Sequence, residues 1–325
     1  MAETILDLDL ENVEGIGPKV KEKLVKAGME SVLDLAASIP SDVEDILGGT
    51  EEKAASLILA AKILLEKSGL LEKAFTPALE IMERRRGIKQ CTTGSKNLDA
   101  LLKGGIETQA ITELYGDYGS GKTQICHVLC CTSQLPVDQG GLGGGVIFID
   151  TEATFRPERV YEIAKAKELD TEEILRNVII CKVYNSSHLE LVAKTLGRYI
   201  ERFKAKMVIV DSVISLHRAE FTGRGTLAER QQRLNALIHR LLRIAEIYNV
   251  AVVVTNQVQA KPDTFFGDPT RPAGGHVIAH ACTYRIYLKK AKNLRTAVMV
   301  DSPYHPYGET QFQITERGIE DPESS

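Results

Sequence analysis

No run of apolar residues in this 325-residue chain approaches the length of a membrane span. No Lys or Arg precedes Lys19, while Glu3, Asp7, Asp9, Glu11 and Glu14 make the beginning acidic, unlike a secretory leader. These absences predict a cytoplasmic protein with no membrane contact. None of the six cysteines (Cys91, Cys126, Cys130, Cys131, Cys181 and Cys282) forms a Cys-x-x-Cys pair, which removes the usual spacing of zinc ligands or a redox dithiol. Most sit in apolar contexts and read as reduced core thiols. There is no internal repeat and no excess of positive charge. The formal net charge is −4; residues 1–75 hold 8 Lys/Arg against 15 Asp/Glu, and the remainder holds 32 against 29. A uniformly basic coat for nucleic acid is therefore excluded, and such a partner must be met by local basic loops. What is left, 43% hydrophobic and 26% charged, suits a chain long enough for more than one domain.

The most informative segment is residues 116–123. Gly116-Asp117-Tyr118-Gly119-Ser120-Gly121-Lys122-Thr123 fits G-x-x-x-x-G-K-T. It lies between an apolar run ending Leu114-Tyr115 and a helical pattern from Gln124 to Gln134. Strand, glycine turn and helix start together make a phosphate cradle, where consecutive backbone N–H groups converge on phosphate oxygens. Lys122 would reach the β- and γ-phosphates, and the Thr123 hydroxyl would ligate Mg²⁺. Met207 to Asp211 is an apolar strand ending in a carboxylate, which makes Asp211 the second magnesium partner. Val146 to Asp150 is another such strand, and Glu152 beyond it is the candidate general base that polarises the attacking water. The other reading of Glu152 is a carboxylate ahead of the helix near Arg156-Pro157. Thr255-Asn256-Gln257 ends a further strand, where the amide of Gln257 suits a γ-phosphate sensor, or merely a polar strand terminus. No Asn-Lys-x-Asp guanine-reading segment occurs, so ATP is preferred over GTP.

The chain divides into three parts. Residues 1–66 have helical patterning. Gly15-Ile16-Gly17-Pro18 is a tight turn ahead of Lys19 to Ala27, Gly28 is a helix stop, and Ser41 with Glu44 has capping-box form. Thr50 opens a last helix through Ala60 to Lys67. The Gly-x-Gly turn resembles a helix-hairpin-helix module, whose turn amides meet a DNA phosphate, with Lys19, Lys21, Lys23 and Lys26 just beyond. A small bundle that contacts only protein suits the acidic balance equally. Residues 67–79 read as a linker with Gly69, Pro77 and an exposed apolar pair, Phe75 and Ala78. Residues 80–325 alternate strands and helices. Strands are expected over 110–115, 146–150, 178–183, 207–211, 250–255, 283–288 and 296–301, and helices over 189–203 and 227–248. This predicts an α/β fold with a mostly parallel central sheet covered on both faces and ligand beyond the strands' carboxyl ends. The glycine-rich stretch 140–145 reads as a surface loop. Residues 218–230 carry Arg218, Arg224 and Arg230; residues 257–280 carry Lys261, Phe265, Phe266, Arg271, Gly274 and Gly275. Segments this long inside a domain read as loops tracking a single DNA strand, or as solvated loops contacting protein.

Further segments carry a likeness: Thr93 through Asp99, Gly105 through Glu113, Ile149 through Glu152, Phe155 through Arg159, Arg218 through Arg233, Asn256 through Pro262, Phe266 through Pro272, Gly274-Gly275-His276 and Asp301-Ser302-Pro303. With Gly15 to Pro18 and the cradle, these resemble the RecA-like strand-exchange recombinases, in particular their archaeal RadA branch, over nearly the whole chain. The resemblance implies a RecA-like P-loop ATPase core after an all-α helix-hairpin-helix domain. It implies a DNA-dependent ATPase that forms filaments on single-stranded DNA, admits a homologous duplex and exchanges strands in recombination and repair. ATP with Mg²⁺ would be sandwiched between protomers, with Arg159 stacking on adenine and Asp301 and Pro303 capping it from the adjacent subunit. Gln257 and His280 would couple nucleotide state to the second loop. Arg218, Arg224 and Arg230 would belong to the first DNA loop, and Lys261, Gly274 and Gly275 to the second. Phe75 and Ala78 would form a polymerisation motif whose ring enters a pocket on the next core. Self-association as filament or ring, mediators as partners and a nucleoid-associated location follow from the same likeness. Pro77, Lys103, Ala153 and Ala273 depart from the family's usual residues. Two other classes share this core: a mediator paralogue that binds ATP and partners without exchanging strands, and a ring-forming helicase-type ATPase.

Overall fold

Proline placement and capping set the first helices. The computed structural model describes residues 8–71, 75–223, 225–260, 270–273, 278 and 281–322. Helix α1 (Pro18–Lys26) has Pro18 in its first turn, where a missing N–H costs nothing, and it ends where Met29 N–H returns to the Leu24 carbonyl at 2.9 Å. Helix α2 (Val32–Ala37) is opened by a reciprocal capping box between Ser31 and Asp34. Helix α3 (Pro40–Leu47) corrects the sequence expectation: Pro40 starts it behind Ile39, so Ser41 lies inside the first turn and cannot cap it with Glu44. Helix α4 (Glu51–Lys67) starts from Thr50, whose hydroxyl accepts from Lys53 N–H at 3.3 Å. Helix α5 (Ala78–Arg85) begins in the last two residues of the expected linker and runs into the core segment, and none of its residues is buried.

The pair β1 (Gln90–Cys91) and β2 (Ile106–Glu107) brackets α6 (Lys96–Leu101). Strands and helices then alternate: β3 (Ile111–Gly116), α7 (Lys122–Thr132), β4 (Gly145–Asp150), α8 (Pro157–Ala166), α9 (Thr171–Arg176), β5 (Val178–Lys182), α10 (Ser186–Lys194), α11 (Leu196–Arg202), β6 (Ala205–Asp211), α12 (Ser215–Glu220), α13 (Leu227–Tyr248) and β7 (Ala251–Ala260). Five strands close the chain: β8 (Thr270–Pro272), β9 (Tyr284–Ala291), β10 (Leu294–Asp301), β11 (Gly308–Thr315) and β12 (Gly318–Glu320). The large sheet runs β12-β11-β10-β9-β3-β7-β6-β4-β5, with β8 folded back on β7. From β9 across to β5 all neighbours are parallel, and the central strands are buried on both faces, as Val252, Val253 and Val254 illustrate. The run from β9 to β12 is antiparallel; the strands expected over 283–288 and 296–301 correspond to β9 and β10, but the sequence reading contains neither their antiparallel pairing nor β11 and β12. The pairing follows from chain length: only Lys292 and Asn293 join β9 to β10, enough for a hairpin but not for a crossover.

Two further expectations change. The single helix over 189–203 is two helices parted at Thr195, and Gly197 then lies so close to Tyr248 that a Cβ would sit 2.1 Å from its hydroxyl. The glycine-rich 140–145 stretch is packed, with Gly141 and Leu142 buried.

The first lobe shares one hydrophobic core with α10, α11 and α13, and its acidic residues meet cations and donors at that seam. Asp42 pairs with Arg240 and, at 2.7 Å, with Lys194. Asp34 accepts from the Tyr248 hydroxyl at 2.7 Å, and the Ala37 carbonyl accepts from Arg243 at 3.1 Å. Burial raises the Asp34 carboxyl and, with the charge of Asp34, pushes Glu201 up to about 7. Among the described residues no helix is long and apolar enough to cross a membrane.

Candidate nucleotide site

The carboxyl ends of β3, β4, β6 and β7 open on a cleft of about 950 Å³ lined by Lys122, Thr123, Glu152, Asp211 and Gln257, among others. The loop from β3 to α7 turns through Gly119 and Gly121 at φ of +75° and +105°, backbone that other residues rarely adopt. Lys122 folds over this loop and donates to the carbonyls of Gly116 at 2.8 Å and Asp117 at 2.9 Å. Burial lowers its pKa, opposed by the charges of Asp211 and Glu152. Thr123 donates through its hydroxyl to Asp211 Oδ2 at 2.8 Å, and Thr255 donates to Oδ1. Burial raises the Asp211 carboxyl, and these hydrogen bonds pull it back. Hard oxygen donors side by side, one of them a carboxylate, fit a magnesium ion.

Glu152 lies outside α8, whose N-cap is Arg156, so it is no helix cap. Its Oε1 accepts from the Ser212 hydroxyl at 2.8 Å and from Gln257 Nε2 at 3.0 Å. The turn carrying it is fixed by buried Asp150, whose carboxylate accepts from the N–H groups of Glu152, Thr154 and Phe155 at 3.3, 3.1 and 3.2 Å. Gln257 Oε1 in turn accepts from Arg218 at 3.3 Å. One amide thus bridges the carboxylate beside the cradle and an arginine of α12.

Arg159 lines the same cleft, held by Gln124 at 2.9 Å and by the carbonyls of Thr315 and Glu316. Ser120 is buried under the loop, and Tyr118 is fully exposed at the rim. Asp301 and Pro303 are exposed and do not line this cleft. Phe75 is 95% exposed, and Ala78 is exposed beside it. Arg218 lies in α12 and Arg230 in the first turn of α13, so only residues 221–226 separate the two helices, fewer than the sequence suggested. The second segment narrows likewise, because β7 runs on to Ala260 and β8 returns beside it. Arg224, Lys261, Gly274, Gly275 and His280 lie outside the described residues. In the first lobe, Lys21 pairs with Asp9 and Lys26 with Glu22, each at 2.6 Å, and Lys23 donates to the Leu47 carbonyl at 3.1 Å. Among the described residues, only Lys19 of the four has no such partner.

Sequence reasoning missed Ser212, Thr255 and Arg295. Strand alternation held a signal for Thr255, since it stands two before Gln257 and shares its face. Arg295 donates to the Gly119 carbonyl at 3.1 Å and lines the cleft. It arrives on β10, from the antiparallel extension, and no local motif marks it.

A glycine cradle entering α7, set at the carboxyl edge of this sheet order, places the chain in the RecA-like class of P-loop ATPases. Its residues 84–322 match the Rad51 family and residues 7–62 the SAM-like helix-hairpin-helix tandem. It is 50% identical over 320 residues to the DNA repair and recombination protein RadA of Cenarchaeum symbiosum (strain A), a match spanning 98% of this chain and 80% of that protein. The chain belongs to the Rad51 family.

Proposed function

We infer that this protein is a DNA-dependent ATPase that polymerises on single-stranded DNA and exchanges strands with a homologous duplex in recombination and repair. The observation that carries the reading is the bridge Glu152–Gln257–Arg218, a direct link from the cradle to the segment read as the first DNA loop. The name of the Cenarchaeum relative supports it.

The triphosphate of ATP lies on the N–H groups of residues 116–123, with Lys122 as counter-charge. Thr123 and Asp211 would hold Mg²⁺, which when bound neutralises charge on the phosphate oxygens. Glu152 takes a proton from water as the water oxygen bonds to the γ-phosphorus and the bond to the bridging oxygen of ADP breaks. Arg159 faces adenine. Asp301 and Pro303, outside their own protomer's cleft, cap the nucleotide of the neighbour, and Phe75 with Ala78 anchors the two protomers together. Arg218, Arg224 and Arg230 track one stretch of the DNA backbone, and Lys261, Gly274 and Gly275 another, with Gln257 and His280 carrying nucleotide state between them. Sequence is then read by base pairing and not by side chains. Residues 1–66, 67–79 and 80–325 act as DNA- or partner-contacting lobe, polymerisation linker and motor. Recombination mediators and a nucleoid-associated place in the cytoplasm complete this reading.

Lys122→Ala tests it. The variant should fold yet lose ATP-dependent exchange between a single strand and a homologous duplex. Undiminished exchange would remove the ATPase from the activity.

A further inference from the structure

Strand β7 carries different chemistry on its two faces. Thr255 and Gln257 look toward the nucleotide cleft, and Asn256 between them looks to the other side and is fully buried. There Asn256 Nδ2 donates to Glu113 Oε1 at 2.7 Å and to the Ala273 carbonyl at 2.8 Å. The Ala273 N–H donates to the Gln257 carbonyl at 2.7 Å. Both backbone groups of Ala273 are therefore tied to consecutive residues of β7. Ala273 is itself fully buried and immediately precedes Gly274 and Gly275.

Glu113 is a fixed point. It is fully buried in the middle of β3, and its second oxygen accepts from Arg285 Nε on β9 at 2.6 Å. A carboxylate held from two flanking strands cannot follow a neighbour's movement, so Asn256 hangs from a rigid support. Among the described residues, Asn256 Oδ1 and Arg285 Nη2 are buried without hydrogen-bond partners. Incomplete satisfaction is costly in a core, and it leaves this network room for a second arrangement.

We propose that Asn256 is a positioning residue that ties the foot of the second DNA loop to the nucleotide-sensing end of β7. When Gln257 responds to the γ-phosphate, its carbonyl moves with it, and the Ala273 N–H follows. Asn256 holds the Ala273 carbonyl to the Glu113 support, so that the displacement becomes a tilt of the loop's foot and not a slide. This rests on the reading of Gln257 as sensor and of Gly274 and Gly275 as DNA contacts. It adds that the coupling passes through a residue that touches neither ligand.

The test uses the ratio of single-stranded DNA affinities with and without a non-hydrolysable ATP analogue. Coupling between sites is typically about 5- to 150-fold. Asn256→Ala should keep the affinity for the analogue and lose at least about fivefold of that ratio. The pair Asn256→Asp with Glu113→Gln separates coupling from packing. It restores an amide–carboxylate bond between positions 113 and 256 with the roles reversed, but supplies no donor to Ala273. The pair should regain thermal stability relative to Asn256→Ala while its ratio stays collapsed. A wild-type ratio in either variant overturns the proposal. If neither variant folds, hydrogen exchange of the wild type decides: adding the analogue without DNA should change protection at the Ala273 amide, and an unchanged rate overturns the proposal. A wild type whose DNA affinity ignores nucleotide would instead sink the functional reading, and the Ala273 exchange rate would still report on the clamp.

Discussion

Replacing Phe75 with alanine should loosen the polymer and leave the protomer intact. The ring is 95% exposed, so the fold of one chain draws almost nothing from it. Surface substitutions of this kind stay within about 0.5 kcal/mol. At a seam between protomers the same ring has nearly its whole surface to remove from water, and burying a phenylalanine contributes about 1.5–3 kcal/mol. Truncation loses that at every seam. At about 1.4 kcal/mol per factor of ten, each association constant falls roughly 10- to 150-fold. The protein concentration at which large particles appear, by light scattering or sedimentation velocity, should rise by a similar factor. The Tm of dilute protein without nucleotide should shift by less than about 2 °C. ATPase activity should fall at low concentration and recover at high concentration, because the proposed cap on the cleft comes from the neighbour. Unchanged assembly refutes the knob. A large drop in Tm with unchanged assembly would mean that the ring packs within its own chain.

Glu152→Gln should bind ATP and single-stranded DNA normally and release phosphate at least about 100-fold more slowly, the low end for a positioned base; normal turnover clears Glu152 of that role. Arg218→Ala breaks the hydrogen bond to Gln257 and removes a cation of α12 from the proposed first DNA contact, so the slope of log affinity against log salt should flatten by about 0.7 on single strands; an unaltered slope counts against that contact. Glu201→Gln probes the seam between lobes, where Asp34, Glu30, Ser31 and Tyr248 gather around this carboxyl and Arg198 pairs with Glu30. Its folded pKa of about 7 lies above the ordinary 4.5, so ionising it opposes folding. That penalty grows as pH rises from about 4.5 to 7 and is complete above. The variant should therefore melt above the wild type at pH 8 and close to it at pH 4.5, and a difference independent of pH rejects the assignment.

The cradle was legible because its chemistry is local: eight consecutive residues, a strand before and a helix after, each with its own pattern. Asp211 and Glu152 were legible for a related reason, since an apolar run stopping at a carboxylate is visible in one dimension. The antiparallel pairing from β9 to β12 was not, because strands over 283–288 and 296–301 show in one dimension while their relative direction does not, and β11, with Glu309, Thr310, Gln311 and Gln313, has little apolar pattern. With it went Arg295 and the carbonyls of Thr315 and Glu316. Ser41 misled because a capping pattern competes with a proline one residue earlier, and the proline decides where the helix begins. The docking of the first lobe on α13 was hidden because an acidic balance says nothing about which cations will face it. Asp42 finds Arg240 198 positions away.

The separation of Asp301 and Pro303 from the cleft of their own protomer has an outcome for how assemblies end. If cleft and cap belong to different surfaces, stacking is head-to-tail, and a row of n subunits closes only n − 1 catalytic compartments. One terminus then shows an uncovered cradle and the other an idle lid. The two extremities are chemically unlike, so addition and loss of subunits should proceed at different rates at each, with nucleotide governing the end whose cradle lies open.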